Sequence, residues 1–139
     1  MKVLLDTSVL ISFFRNPAKK AEFESRTGEP LLHMSSVVVL ELLAGCRTAP
    51  QQKALISFLK PFEKANRLLT PDYKCFREAG RILAELGRAG IGAQHRCQIV
   101  NDVLIAVTAR HTGAVVITSN AKDFSLIARH TPVRWMLPD

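Results

Sequence analysis

Short apolar runs alternate with longer amphipathic segments along this chain of 139 residues. The candidate runs cover 3–5, 31–34, 67–69, 114–117 and 133–137. Short runs of this kind, bounded by polar or turn-forming residues, are typical of buried strands. Because each connection between runs is long enough for a helix, the pattern predicts strands and helices in alternation.

The segments between the runs carry apolar residues at helical spacing and recognisable helix ends. Thr7 or Ser8 can cap a first helix that stops near Asn16 and Pro17. Further helices are predicted over 51–63, over 70–90, over 101–112 with Asn101 as its cap, and from 120 onward.

The segment "VVVLELLAG" is ambiguous on its pattern. Ser35 and Ser36 offer caps before it, and Gly45 offers a natural helix end. Its three successive valines favour a strand on propensity alone, because β-branched side chains are restricted in a helix. The residues themselves leave helix and strand open here.

Alternating strands and helices predict an α/β fold with a mainly parallel central sheet, in a single domain over residues 1–139. Sites in such folds form outside the carboxyl ends of the strands. Asp6 follows the first run and Thr118 and Asn120 follow the run 114–117. If these two strands are parallel neighbours, we expect their ends to lie side by side.

Four of the twelve acidic residues stand where charge is unexpected, namely Asp6, Glu41, Asp102 and Asp123. Each has a plain structural alternative, which is helix capping for the three aspartates and a salt bridge for Glu41. Clustered carboxylates repel each other unless a cation neutralises them. An oxygen-only ligand set selects a hard ion such as Mg²⁺ or Mn²⁺, so we expect one of these ions if the four converge.

The overall charge and the cysteines limit the class of protein. Nineteen basic against twelve acidic residues give a net charge of +7, which favours a polyanionic partner such as nucleic acid. Three cysteines without C-x-x-C spacing fit a reducing compartment. Asp6 and Arg15 interrupt what would otherwise resemble a signal peptide, and no run approaches membrane-spanning length. We therefore expect a cytoplasmic protein with no membrane partner.

Four stretches together resemble the motifs of a known family. "LLDTSVLI", "SSVVVLELLAG", "NDVLIAVTARHTG" and "VVITSNAKDF" are similar, in order and spacing, to those of PIN-domain ribonucleases, and above all to bacterial VapC-type toxins. The resemblance spans 2–135. It implies a three-layer α/β/α PIN-like fold, and it implies a helix over 36–44.

The same resemblance assigns roles to individual residues. It implies that Asp6, Glu41 and Asp102 form the catalytic, metal-binding acidic set, with Asp123 in a fourth acidic position. It further places three polar residues beside the metal in supporting roles: Thr7, Thr118 and Asn120.

The function implied by the resemblance is that of a Mg²⁺- or Mn²⁺-dependent endoribonuclease, in which water activated by the metal cleaves an RNA phosphodiester. Such a protein acts as the toxin of a toxin–antitoxin pair. The resemblance also implies a homodimer and a small VapB-like antitoxin that inserts a peptide near the site. Two alternatives stay open, a PIN nuclease for housekeeping RNA processing and a catalytically silent PIN module that binds RNA or protein.

An acidic pocket needs a basic rim to attract RNA. The candidates for RNA binding are exposed-looking cations in loops or near helix ends: Arg15, Lys19, Lys20, Arg47, Arg96 and Lys122. The segment "GIGAQHRCQIVND" is longer than the short glycine turn of the family. Its His95, Arg96 and Gln98 either contact substrate or partner or belong to a solvated loop, and the solvated loop is the favoured interpretation.

Overall fold

A computed structural model describes residues 1–28 and 31–139. The strands are short and few: β1 (Lys2–Leu5), β2 (Leu31–Ser35), β3 (Leu68–Leu69), β4 (Val115–Ile117) and β5 (Arg134–Met136). The helices fill every connection between them: α1 (Thr7–Arg15), α2 (Pro17–Thr27), α3 (Ser36–Ala44), α4 (Ala49–Lys64), α5 (Tyr73–Arg88), α6 (Ala93–Gln98), α7 (Val100–Thr112) and α8 (Ala121–Ala128).

The five strands form one parallel sheet in the order β3-β2-β1-β4-β5. The predicted α/β fold with a parallel sheet is confirmed, and all five candidate runs contribute a strand. β1 and β4 are direct neighbours, with Leu5 paired to Ile117. The residues that follow them, Asp6 and Thr118, therefore meet at the carboxyl edge of the sheet.

Helix α7 runs through the middle of the protein, and residues 103–109 along it are all buried. It contacts α3, α5, α6, α8 and β4, which explains why almost every side of it is apolar. Asp102 lies in its first turn. The buried residues that follow Asp102 in α7 therefore fix the position of its carboxylate in the fold.

The ambiguous segment is helical. Ser35 Oγ accepts a hydrogen bond from the backbone N–H of Val37 at 3.1 Å, and α3 ends at Gly45. Burial of Val37 and Val38 in the core outweighs the weak strand preference of valine. The helix implied by the resemblance is thus confirmed.

Two predicted helix caps were wrong, and one helix was not predicted. Asp6 caps α1, in place of Thr7 or Ser8, because its Oδ1 accepts from the Thr7 N–H. The first helix ends at Arg15, so the predicted stop near Asn16 and Pro17 is confirmed; Pro17 also begins α2, a helix that was not predicted, since its fixed φ suits a first helical turn. Asn101 is not a cap, because α7 starts at Val100 directly after buried Ile99.

Among residues 1–28 and 31–139, no helix combines the length and the apolar character needed to cross a membrane.

Candidate active site

Asp6 is fixed at the carboxyl edge of the sheet. Its side chain is 6% exposed, and each of its oxygens accepts a hydrogen bond. Oδ1 accepts from the Thr7 N–H at 2.8 Å, and Oδ2 accepts from Thr118 Oγ1 at 2.8 Å. Capping of α1 and membership of the acidic site are therefore compatible roles of one carboxylate, since they use different oxygens.

Glu41 reaches the same edge from α3. Thr7 Oγ1 donates a hydrogen bond to Glu41 Oε1 at 3.0 Å, so α1 joins Asp6 and Glu41 through one residue. The salt bridge considered for Glu41 is absent within the part of the chain that the structure describes. This half-buried carboxylate is held by a neutral hydroxyl and has no cation beside it.

Asn120 joins the remaining two acids. Its Nδ2 donates to Asp102 Oδ2 at 3.2 Å and to Asp123 Oδ2 at 2.9 Å. Its own backbone N–H donates to Thr118 Oγ1 at 3.0 Å. The hydroxyl of Thr118 thus connects Asp6 with the turn that carries Asn120, and one hydrogen-bonded chain runs through the site.

The charges of the four acids act on one another. Burial is the largest cause that raises the pKa of Asp102, followed by the neighbouring charges of Asp6, Asp123 and Glu41 in that order, and together they bring it to about 7. The hydrogen bond from Asn120 acts in the opposite direction but is outweighed. Asp6, Glu41 and Asp123 are therefore all within electrostatic reach of Asp102.

Asp123 differs from Asp102 although the two share Asn120. Burial would raise the pKa of Asp123, but hydrogen bonds from Asn120 and His95 outweigh burial and lower it, with help from the charge of Lys122. Asp123 therefore stays ionised close to a carboxyl group that ionises only near neutral pH.

The donor set fits a hard divalent cation. The four acids supply carboxylate oxygens, and Thr7, Thr118 and Asn120, which are hydrogen-bonded to them, supply hydroxyl and amide oxygens, the ligand type that Mg²⁺ or Mn²⁺ prefers. Within residues 1–28 and 31–139, no group of three or more carboxylate, histidine or cysteine side chains is arranged so that it could hold a metal ion as it stands. Mg²⁺ typically binds through one or two carboxylates and keeps several waters, so a closed cage is not needed.

One residue of the site was missed by sequence reasoning. This residue is His95, whose Nε2 lies 2.9 Å from Asp123 Oδ1. Segment 93–98 forms the short helix α6, so the favoured interpretation of a solvated loop was wrong. A signal was present in the sequence, because 93–98 contains neither glycine nor proline between the flexible Gly90 and Gly92 and the apolar start of α7.

The predicted RNA-binding cations are spread over several positions. Lys122 adjoins Asp123 and influences its charge. Arg15 ends α1 and Arg47 follows α3, both exposed. Arg96 instead packs its guanidinium against Gly87 of α5. The two lysines of α2, Lys19 and Lys20, are exposed as well, and Lys20 pairs with Glu24 at 3.6 Å.

Residues 3–130 match the model of the PIN domain. The chain belongs to the PIN-domain family. The match covers every acid of the site, and the five-stranded parallel sheet agrees with the fold of solved members described below.

Two curated PIN-domain relatives align over nearly their whole length. The tRNA(fMet)-specific endonuclease VapC of Shigella flexneri is 25% identical over 135 residues, covering 97% of this chain and 98% of the relative. Ribonuclease VapC2 of Haemophilus influenzae is 28% identical over 142 residues, covering 98% and 99%.

Two solved structures are similar along the full chain. The DNA-bound VapBC of Salmonella typhimurium gives a TM-score of 0.71 at 25% identity, covering 100% of this chain and 99% of that one. VapBC-1 of nontypeable Haemophilus influenzae gives 0.71 at 27% identity, covering 99% and 98%. This chain therefore resembles one chain of each of these complexes in fold and in length.

Proposed function

We propose that this PIN-domain protein is a Mg²⁺- or Mn²⁺-dependent endoribonuclease and the toxin of a toxin–antitoxin pair. The observation that carries the proposal is the gathering of Asp6, Glu41 and Asp123 around Asp102, whose pKa rises to about 7 through burial first and the charges of these three acids second. A fold that needed these acids only for stability would pair them. The names of the curated relatives, both nucleases, favour the same activity.

Each residue of the site would have its own role in phosphodiester hydrolysis. Asp6, Glu41 and Asp102 would hold the ion, which when bound supplies a polarised water and neutralises charge on the phosphate. Thr118 and Thr7 fix the orientations of Asp6 and Glu41 through hydrogen bonds of 2.8 and 3.0 Å. Asn120 would keep the carboxylates of Asp102 and Asp123 close together, because its Nδ2 donates a hydrogen bond to each of them.

RNA is the substrate that the charge of the protein favours. The net charge of +7 attracts a polyanion towards a pocket whose own acids would repel it. Lys122 lies next to Asp123, an acid of this pocket. Arg15, Arg47 and Lys122 remain candidates for contacts with phosphate, whereas the packing of Arg96 against Gly87 gives its candidacy less support.

A small VapB-like antitoxin is the proposed partner, and a homodimer is the proposed assembly of the toxin. The solved structures similar to this chain are VapBC complexes. An arginine of the antitoxin would bind the acids of the site bidentately and relieve their repulsion in place of a metal ion. The complex should therefore melt at a higher temperature than the free protein.

The nuclease activity is tested with one variant and a matched control. Asp6→Asn should abolish RNA cleavage in Mg²⁺ or Mn²⁺, as EDTA should for the wild type. Asp72 caps α5 with a 2.9 Å hydrogen bond from Cys75, as Asp6 caps α1, but lies outside the site. Asp72→Asn should leave cleavage unchanged. Activity of Asp6→Asn, or cleavage in EDTA, would refute the proposed chemistry.

The toxin role is tested in cells. Expression of the wild type alone should arrest growth, Asp6→Asn should not, and co-expression of a small protein encoded just upstream should restore growth. If the wild type cleaves RNA after purification but is harmless at high expression, RNA processing replaces the toxin role. If it is harmless and also cleaves no RNA, a silent binding module replaces both.

A further inference from the structure

Helix α6 brings a histidine against the acidic site. His95 Nε2 lies 2.9 Å from Asp123 Oδ1, while Asn120 Nδ2 lies 2.9 Å from Asp123 Oδ2. Because an ionised carboxylate only accepts hydrogen bonds, Nε2 of the ring must carry a hydrogen and donate it. The two oxygens of Asp123 are thus held separately, one by α6 and the other by the turn before α8.

The position of His95 is fixed by its neighbours in the chain. Ile99, which follows α6, is 1% exposed and anchors that end of the helix in the core. Arg96, the residue after His95, lies against Gly87 of α5 so closely that a Cβ at position 87 would be 2.5 Å from Arg96 Nη1. The Nε of Arg96 is buried there. The contact with Asp123 therefore comes from an anchored segment.

The contact does little for the stability of the fold. The side chain of His95 is 34% exposed and that of Asp123 is 18% exposed, and partly solvated pairs of this kind contribute little to the free energy of folding. The local electrostatics give it another use. The charges of Asp123 and Asp102 repel each other, so without a second donor the Asp123 carboxylate would be free to turn towards solvent.

We propose that His95 is a positioning residue that holds the carboxylate of Asp123 in the orientation in which Asn120 links it to Asp102. The site is then ordered before an ion arrives, and binding does not require a carboxylate to be drawn in. The inference rests on the proposed function, because it assumes that the site binds Mg²⁺ or Mn²⁺.

The test measures Mn²⁺ binding by isothermal titration calorimetry, without RNA and without turnover. His95→Ala should weaken Mn²⁺ binding by about tenfold, the lower end of what is lost when a residue that orients a metal ligand is removed. His95→Gln should retain most of the affinity, since its amide N–H can donate the same bond. His111→Ala is the matched control, because His111 pairs with Glu78 at similar exposure, 33%, away from the site. It should leave Mn²⁺ binding unchanged.

Each other outcome has a definite meaning. Wild-type affinity in His95→Ala would overturn the inference. Equal weakening in His95→Ala and His95→Gln would also overturn it, because the imidazole itself would then be required. If the wild-type protein neither binds Mn²⁺ nor cleaves RNA, the proposed function fails. If it does both while His95→Ala binds normally, only the positioning role fails.

A pair of glycine substitutions tests whether α6 needs its anchor. Gly87→Ala should displace Arg96 and weaken Mn²⁺ binding in the same direction as His95→Ala, though less. Gly80→Ala lies on the same helix with nothing within 4 Å of its new Cβ, so it should leave binding unchanged. Melting temperatures establish that both variants fold. Equal Mn²⁺ affinity of the two folded variants would refute the anchoring by Arg96.

Discussion

Two regions of this protein place glutamate or aspartate beside histidine, with opposite electrostatic results. The first is the acidic site at the carboxyl edge of the sheet. The second, here called the α5 network, joins α5 to the end of α7 and the segment after α8. Its members are Glu78, Arg81, Glu85, Arg110, His111, His130 and Thr131.

In the α5 network every carboxylate has several donors. Glu78 accepts from His111 Nε2 at 2.6 Å, from Thr131 Oγ1 at 3.0 Å and from Arg110. Burial alone would raise the pKa of Glu78, but these donors outweigh it and lower the pKa. Hydrogen bonds from His130 and Arg81 likewise lower the pKa of Glu85.

In the acidic site the donors to the four carboxylates, apart from His95, are uncharged backbone, hydroxyl and amide groups. Asp102 has one hydrogen bond, from Asn120, against burial and three neighbouring negative charges, and its pKa rises to about 7. The comparison teaches that a histidine beside a carboxylate does not identify a functional site. The balance of charge is more informative, because Glu78 and Glu85 have arginine partners while Asp102 is surrounded by three other carboxylates, as is expected of a site for a cation.

The largest contrast should come from neutralising one acid in each region. Asp102→Asn should abolish RNA cleavage and raise the melting temperature of the metal-free protein, since it removes repulsion. Glu78→Gln should do the reverse, lowering the free energy of unfolding by about 2 kcal/mol through the loss of charged hydrogen bonds, with cleavage intact in the folded fraction. Cleavage assays and urea unfolding in EDTA measure both.

Similar effects of Asp102→Asn and Glu78→Gln would contradict the proposed difference between the two regions. A destabilised Asp102→Asn would mean that the acidic site is an ordinary structural cluster. A catalytically dead but folded Glu78→Gln would mean that the α5 network takes part in the reaction.

The pH dependence of stability should also differ between the regions. The folded pKa of Asp102, about 7, lies above its ordinary value of 3.8, so between these values the folded state holds a proton that the unfolded chain releases. The free energy of unfolding of the metal-free protein should therefore fall as pH rises through this window. For Glu78, with a pKa below its ordinary 4.5, the contribution is present above 4.5 and is lost as pH falls through the folded pKa.

Urea unfolding at about pH 5 and about pH 8 in EDTA measures this difference. Asp102→Asn should lack the part of the decrease that Asp102 causes, and histidines that titrate in both proteins cancel in the subtraction. Saturating Mg²⁺ should reduce the decrease in the wild type, because a cation favours the ionised carboxylate. Identical pH profiles of the two proteins would contradict the raised pKa of Asp102.

Much of the fold could be predicted because the deciding interactions are local or periodic. Buried runs gave all five strands, and the alternation of strands and helices gave the parallel sheet. Since β1 and β4 are parallel neighbours, the predicted meeting of Asp6 and Thr118 at the carboxyl edge is confirmed. The helical state of α3, by contrast, depended on burial of Val37 and Val38 against the rest of the fold, and the pattern alone left it open.

The parts that were missed depend on contacts distant in the chain. His95 and Asp123 are 28 positions apart, and no spacing rule links an inserted segment to the end of another connection. The place of Arg96 follows from the absence of a side chain at Gly87 on a different helix. The roles of Thr7, Thr118 and Asn120 came from family resemblance, and the hydrogen bonds that join them to the acids appear only in the folded chain.

The smallest expected effect concerns how RNA approaches, and it compares the basic residues of the two regions. Lys122 lies beside the acidic site, and Arg47 is an exposed cation after α3. Replacing both with alanine should weaken RNA binding and flatten its salt dependence, since each lost phosphate contact lowers the slope by about 0.7 for single strands, or about 1.4 for two.

Lys74 and Arg77, exposed beside the α5 network, provide a control with the same loss of charge. Fluorescence anisotropy in an Asp6→Asn background, which should not cut the probe, measures the slopes. The control should lower affinity only slightly and keep the wild-type slope, whereas equal slopes for both double variants would show that net charge, and not the rim of the site, attracts the RNA.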